Sequence, residues 1–599
     1  MDHLSPAQEY SDRLRSRELR VARFHTIHIR LGNVRLGLAI IAFILGWISL
    51  ARHAISVWWL AAPLAVFMVV ADYHTKVLRR LSFAERSVKF YQKGIARIED
   101  RWHGSGETGQ RFRDPRHIYE ADLDIFGEDS LFALLSTART RIGEETLARW
   151  LLGPSPLKII LDRHVAIAEL RQLLDFREDM AVAGEDARVG IRPAQLAQWA
   201  ESPQQMRPAW LRIVASLLAV LAAASVVVWA FWGTSLPFFA VVVIESGIVY
   251  FFRSKIEDVL HKTEHAFEDL GLLSSLVERV EAEQFVAAPL NSLRRQFCSN
   301  SNSTKNFASR AIAQLRSITN RIYSRHNLFL RIIDVPLMYS VRLAFAADTW
   351  RHKYGHSVRQ WLAAVGEIEA LVALATYSYE HPADPFPQFT SGSACFAAEK
   401  LGHPLIPDSV CIRNNVEIGE HPSVLLISGS NMSGKSTLLR AVGINTVLAM
   451  AGAPVRARHM RMTPLRVGAS IRINDSLQAG NSRFYAEITR LRKILDLTAG
   501  DFPVMFLFDE VLQGTNSHDR RVGTQGIVNG FLKRGAIGLL STHDLALTEI
   551  SGNRPDEIKN MHFQDELKDG RMCFDYILRD GIVSRSNGLA LMRSIGLDV

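Results

Sequence analysis

Cysteine is nearly absent. Four residues, Cys298, Cys395, Cys411 and Cys573, are scattered through a chain of 599 without C-x-x-C spacing. That spacing excludes a zinc-ribbon site and a disulfide framework, and suits a reducing compartment. Charge is missing too, but only locally. Leu36 to Ala51 and Ala54 to Ala71 are apolar runs divided by Arg52-His53, and Ile213 to Trp232 and Leu236 to Phe252 form a second pair around Gly233-Thr234-Ser235. Each is near the roughly 17 to 25 residues that a helix needs to cross a bilayer. The first and third runs also lack the polar stripe of a buried soluble helix. No small-residue cleavage pattern follows the first run, so a cleavable signal is not expected.

What is present in abundance is arginine. Lys and Arg number 70 against 61 Asp and Glu, giving a formal charge of +9 and a sequence pI near 9.4. Arg13, Arg15, Arg17, Arg20, Arg23, Arg30 and Arg35 precede the first apolar run, and Lys76, Arg79 and Arg80 follow the second. Arg207 and Arg212, then Arg253 and Lys255, flank the second pair in the same way. By the positive-inside rule both ends of both hairpins stay in the cytoplasm, and every soluble part lies on that side. Anionic headgroups and nucleic acid are equally natural partners for such a surface. Glu245 interrupts the fourth run; it is either a functional site, for helix pairing or conduction, or a protonated or interfacial carboxyl.

The chemistry sits near the other end. Gly429-Ser430-Asn431-Met432-Ser433-Gly434-Lys435-Ser436 fits G-x-x-x-x-G-K-[ST], after the apolar strand Val424 to Ile427 and before a helix from Thr437 to Met450. Backbone N–H groups and the helix N-terminus face phosphates there, Lys435 reaches the β and γ groups, and the Ser436 hydroxyl ligates Mg²⁺. A second strand, Val504 to Phe508, ends in Asp509 and Glu510, placed to support Mg²⁺ and to orient an attacking water. A third, Ala536 to Leu540, delivers Ser541-Thr542-His543 to the same edge, where the imidazole would sense a γ-phosphate.

The residues around these motifs resemble the ATPase domain of MutS proteins. The matching words are Gly429 to Thr437, Asp509-Glu510 leading into Gly514-Thr515-Asn516-Ser517-His518-Asp519, and Ser541 to Glu549. Asp475 to Phe484 is similar to the family's signature loop, with Glu487 on the helix after it, and Gly581 to Ala590 is similar to a C-terminal family segment. The resemblance implies ATP with Mg²⁺, a homodimer in which Ser482 reaches the partner's nucleotide, and a bacterial-type inner membrane. Ahead of the phosphate-loop strand this chain has Val410-Cys411-Ile412-Arg413-Asn414 where the family often offers an aromatic residue for adenine.

Upstream, Asp122 to Phe132, Arg139 to Gly143 and Leu147 to Leu152 look like the helical core that precedes the family's lever helices. Phe126-Gly127-Glu128 has the F-x-E form of a mismatch-reading wedge, but it lies inside this core match, where Phe126 is expected to pack. Arg253 to Tyr379 is helix-compatible and supplies the levers. The polar turn Ser299 to Asn306 stands where DNA-binding members insert a clamp domain, and leaves no room for one. Arg294, Arg295, Lys305, Arg310, Arg316 and Arg321 around that tip read better as a solvated face than as phosphate contacts.

The expected architecture is therefore multidomain: a helical MutS-type core and lever region carrying two transmembrane hairpins, then an α/β P-loop ATPase domain related to ABC ATPases. Its parts are a basic segment 1–35, hairpin one 36–71, core 72–207, hairpin two 213–252, lever helices 253–380, a linker 381–400 and the ATPase domain 401–599. The expected activity is ATP hydrolysis coupled to lever movement, acting on double-stranded or branched DNA in a repair or recombination role. The alternative is a membrane-tethered switch acting on a protein or lipid partner without DNA.

Overall fold

The computed structural model describes residues 5–52, 56–184, 192–206, 209–301, 304–325, 327, 333–472, 483–568 and 571–583. The chain divides into two compact units, residues 1–105 with 379–381, and residues 106–378 with 382–599.

The first unit is a long helical hairpin. One helix runs from Pro6 to Arg52 and the other from Ala61 to Ile98, joined through a short 3₁₀ turn at Val57–Leu60. The basic segment and the first apolar run are thus a single continuous helix, and the second helix continues well past Ala71. The helices are antiparallel: Tyr10 meets Tyr91, His28 bonds His74 at 2.7 Å, and Arg35 lies over Phe67. At the charged end, Tyr10 packs against Phe90, Tyr91 and Tyr379, and the Arg97 guanidinium grips Glu380 with two bonds of 2.6 and 2.7 Å. Gly94 has to be glycine there, because a Cβ would stand 2.4 Å from the Tyr10 ring.

In the second unit, helices Ala209–Trp232 and Leu236–Leu272 form another hairpin. Its turn uses Gly233 at φ +70°, a conformation that glycine adopts without a Cβ penalty. Its base is built into the helical core: Leu211, Ala215, Ile256, Val259 and Leu260 share one apolar cluster with Ile322, Met338, Val341 and Ala344. The polar tip is a two-stranded antiparallel ribbon, β1 (Cys298–Ser301) and β2 (Thr304–Phe307), rather than an open turn. It joins helix Ala288–Gln296 to helix Ala308–Ser324. Helix Tyr339–Glu380, 42 residues long, runs through the centre of the core.

Among the described residues, five helices are long and apolar enough to cross a membrane by length and composition. The most apolar windows of Pro6–Ser49, Trp58–Ile98, Trp210–Trp232 and Leu236–Leu272 are 0, 17, 22 and 6% buried, whereas that of Tyr339–Glu380 is 89% buried.

The C-terminal α/β domain holds two sheets. The four-stranded one has the order β3 (Gln388–Phe389), β7 (His459–Met462), β4 (Phe396–Leu401), β5 (Asn414–Ile418). Since β3 and all of β4 but Leu401 fall within 381–400, the segment read as a linker contributes two strands to this sheet. The six-stranded sheet has the order β12 (Arg571–Asp580), β11 (Ile558–Lys568), β6 (Val424–Ser428), β10 (Ile537–Thr542), β9 (Val504–Asp509), β8 (Arg466–Ser470). All neighbours in it are parallel except β11 with β12. Strands β6, β9 and β10 read as unbroken apolar runs because both faces of a parallel sheet are covered. Ligands bind such sheets beyond the carboxyl ends of the strands, and the motif residues lie at that edge.

Candidate nucleotide site

Strand β6 ends directly in the loop Gly429–Ser436, and helix Lys435–Ala451 starts from it. The loop turns through positive φ at Met432 (+71°) and Gly434 (+101°). Lys435 Nζ donates to the carbonyls of Gly429 and Ser430, both at 2.8 Å, so the ammonium is held inside its own loop with only 4% of the residue exposed. Burial lowers its pKa, while Glu510 and Asp509 oppose that shift. Ser430 and Ser433 each keep a buried hydroxyl oxygen without a hydrogen-bond partner, an arrangement that fits a ligand rich in acceptors.

Register assembles the rest. Ser541 of β10 lies beside Asp509 of β9, and Thr542 beside Ser428 of β6. Asp509 therefore accepts from Ser436 with one carboxylate oxygen and from Ser541 with the other. A hydroxyl and a carboxylate in contact are the hard oxygen donors that Mg²⁺ prefers. Among the described residues no group of three or more His, Cys, Asp or Glu is placed to hold a metal, so phosphate oxygens and water would supply the remaining ligands.

Glu510 follows at φ +50°, its N–H donating to Ser541 O at 3.1 Å. One carboxylate oxygen is 2.9 Å from His543 Nδ1, and Gln513 donates to the other. The two residues read from separate motifs are thus a hydrogen-bonded pair. The turn continues through Leu512 at φ +57°, whose N–H donates to Glu487 Oε1 at 2.7 Å.

A cleft of roughly 720 Å³ opens over the loop, lined by Asn431, Lys435, Ser436, Thr437, Asp509 and Glu510 on the polar side. Its other side is His403, Ile406, Val410, Cys411, Ile412, Phe563 and Tyr576. The last two were not singled out by sequence reasoning. Tyr576 comes from β12, has φ +55°, and its ring would stand 3.1 Å from a Cβ on Gly434. Asn414 fixes that strand by donating to Tyr576 O and accepting from Leu578 N. An aromatic side chain does line the cleft, but from a strand about 160 residues beyond Val410–Asn414, where no local motif announces it. Ser541 and Gln513 were also unassigned, although Ser541 lies inside a quoted motif word and Gln513 just before Gly514.

Ser482 and the signature stretch Asp475–Ser482 lie outside the described residues, as does the C-terminal segment beyond Val583. Phe126 is buried, packed between Phe112 and Phe132, as expected for a core residue. At the tip, Arg294 donates to Glu281 O, whereas Arg295, Arg310, Arg316 and Arg321 are exposed. The Lys305 side chain is not described.

Residues 425–598 match the family model for MutS domain V. The chain is 35% identical over 196 residues to Endonuclease MutS2 of Thermus thermophilus, covering 33% of this chain and 25% of that protein. It is 30% identical over 258 residues to DNA mismatch repair protein MutS 2 of Halobacterium salinarum, covering 41% and 29%. DNA mismatch repair protein MutS of Geobacillus thermodenitrificans is 28% identical over 295 residues, covering 47% and 31%. The chain thus spans about a quarter to a third of the length of these curated relatives.

Proposed function

Since the chain belongs to the MutS family, we propose that it is a membrane-anchored ATPase whose nucleotide domains pair between two copies and whose hydrolysis cycle moves the core helices against DNA. The observation that carries the ATPase reading is the meeting of Lys435, Ser436, Asp509, Glu510 and His543 at one sheet edge. Lys435 and the loop amides bind the β and γ phosphates, and Ser436 and Asp509 hold Mg²⁺. The metal supplies charge neutralisation across those phosphates. Glu510, oriented by His543 and Gln513, accepts a proton from water, and His543 reads the γ-phosphate. Ser482 completes the partner's site.

Anchoring is supported by the four apolar helices whose faces are not covered by protein, with arginine-rich flanks that keep the nucleotide domain on the cytoplasmic side. A second reading, a tethered switch acting on a protein or lipid, is favoured by the short ribbon β1–β2 where a DNA clamp would be inserted.

The test is the ATPase rate of detergent-purified protein with mismatched, homoduplex and branched DNA across a salt series, with Lys435→Ala as blank. DNA stimulation that fades with salt, and is lost on reversing Arg310, Arg316 and Arg321, supports the first reading. A Lys435-dependent rate indifferent to every DNA supports the second. Glu510→Gln is expected to keep ATP binding while turnover falls at least a hundredfold; unchanged turnover removes Glu510 from the mechanism.

A further inference from the structure

Asp122 lies in the helical core, far in sequence from every nucleotide-site motif, and is completely buried. Its Oδ1 accepts from two consecutive backbone amides, Ile471 at 2.8 Å and Arg472 at 2.6 Å, just past β8. Its Oδ2 accepts from the Arg490 guanidinium, and its own carbonyl from Arg440 Nε at 3.0 Å. Arg440 belongs to the phosphate-loop helix and Arg490 to helix Arg483–Asp496, so one residue touches three separate parts of the nucleotide domain. Around it, Ala469 N donates to Ile118 O, Arg472 pairs with Asp124 at 2.6 Å, and the Leu123 side chain occupies the space a Cβ on Gly443 would need.

The contact with Arg490 leads directly towards the chemistry. Arg490 also donates to Ala469 O at 2.8 Å, which fixes helix Arg483–Asp496 against β8. Three residues earlier on that helix, and so on a neighbouring position of its surface, Glu487 accepts the N–H of Leu512 in the positive-φ turn that begins at Glu510. The Asp122–Arg490 contact and the Glu487–Leu512 contact are therefore joined through helix Arg483–Asp496, which carries both Arg490 and Glu487. On its far side the same core segment is pinned to the long central helix: Glu369 accepts from Arg139 N at 3.0 Å, Thr140 N at 3.1 Å and the Thr140 hydroxyl.

We propose that Asp122 is a positioning residue for hydrolysis, holding helix Arg483–Asp496 through Arg490 so that Glu487 sets the Glu510 turn. The segment Ile118–Thr140 then joins the central helix, at Glu369, to the water-orienting carboxylate. This rests on the ATPase reading above and extends it to a residue outside the nucleotide domain. Because the phosphate-binding contacts of Lys435 and Ser436 do not pass through Asp122, its loss is expected to slow turnover without weakening nucleotide binding.

The experiment uses the full chain in detergent, with steady-state turnover, binding of a fluorescent ATP analogue and thermal melting measured on each variant. Asp122→Asn keeps an oxygen for the two backbone amides but presents an amide N–H₂ to Arg490. The expected result is a kcat about tenfold lower, with KM and analogue affinity within twofold of the unmodified protein. Arg490→Gln is expected to do the same, and the double variant to be no slower than either single one, as for residues acting in one series. Should Asp122→Asn not fold, Arg490→Gln carries the same test from a more exposed site. A kcat within twofold of the unmodified protein overturns the proposal, as do KM and affinity weakening in step with a lowered melting temperature. If the unmodified protein shows no Lys435-dependent turnover, the ATPase reading fails and this proposal with it; turnover in the unmodified protein that Asp122→Asn leaves intact fails the proposal alone.

Discussion

Helices Trp58–Ile98 and Tyr339–Glu380 have the same mean hydropathy, 1.2, in their most apolar windows, yet 17% of one window is buried and 89% of the other. Composition alone makes both candidates for a bilayer. The protein itself covers the second: Ala364, Ile368, Ala373, Leu374 and Ala375 are all fully enclosed. Along the first, Leu64, Met68 and Val69 face outward, as do Phe43 and Trp47 on its hairpin partner. One helix covers its apolar surface with neighbouring side chains, and the other leaves it exposed, as the proposed bilayer contact requires.

The strongest way to break this distinction is a charge on each kind of surface. Leu374→Asp buries a carboxylate with no partner and is expected to abolish folded protein, read as loss of a cooperative melt; a folded variant would mean that the central helix is less enclosed than described. Val243→Lys, on the exposed face of the second hairpin, is expected to leave the fold intact in detergent. In cells it costs insertion about 2.5 to 3.5 kcal/mol, visible as release from the membrane fraction on alkaline extraction. Unchanged extraction would argue that this face does not lie in lipid.

Buried histidines offer a milder contrast. Burial lowers the pKa of His403 and of His164 to about 4. Between pH 6.5 and 4 the unfolded chain takes up protons that these folded rings refuse, so stability is full above pH 6.5 and falls as pH drops through that window. For His403 the loss approaches about 3 kcal/mol, and His403→Gln is expected to flatten the pH dependence of the denaturant midpoint. An unaltered slope would place the acid sensitivity elsewhere. The smallest effects come from two glycines of the first unit. Gly94→Ala meets the Tyr10 ring and is expected to cost about 1 to 3 kcal/mol. Gly37→Ala meets nothing within 4 Å and is expected to be neutral or to stabilise by up to about 1 kcal/mol. Equal melting temperatures for the two variants would contradict the packing of that hairpin.

The nucleotide site was legible wherever its residues are neighbours in the chain. Strand, glycine loop and helix around Lys435 form one local unit, and Asp509-Glu510 and His543 are each announced by the apolar strand before them. The partners were not legible. Ser541 reaches Asp509 only through the register of β9 against β10, and Tyr576 enters the cleft only because β12 pairs with β11, which itself lies beside β6. Asp122 was read as part of a core match and nothing more, since its bonds are made to residues more than 300 positions away. The segment read as a linker holds β3 and most of β4, and what makes them strands is a common partner, β7, that lies well downstream of both.

By itself the sequence determined what depends on covalent neighbours: a phosphate loop between strand and helix, carboxylates at a strand's end, apolar helical runs of bilayer-spanning length, and arginines clustered at their ends. The tertiary structure decided what depends on residues meeting from a distance: which apolar helix the protein encloses, which hydroxyls hold Asp509, and which core residue grips the helix beside Glu510. Hydropathy and motif spacing are sums over a local window, whereas burial, register and hydrogen bonding depend on the identity of whatever the fold brings alongside.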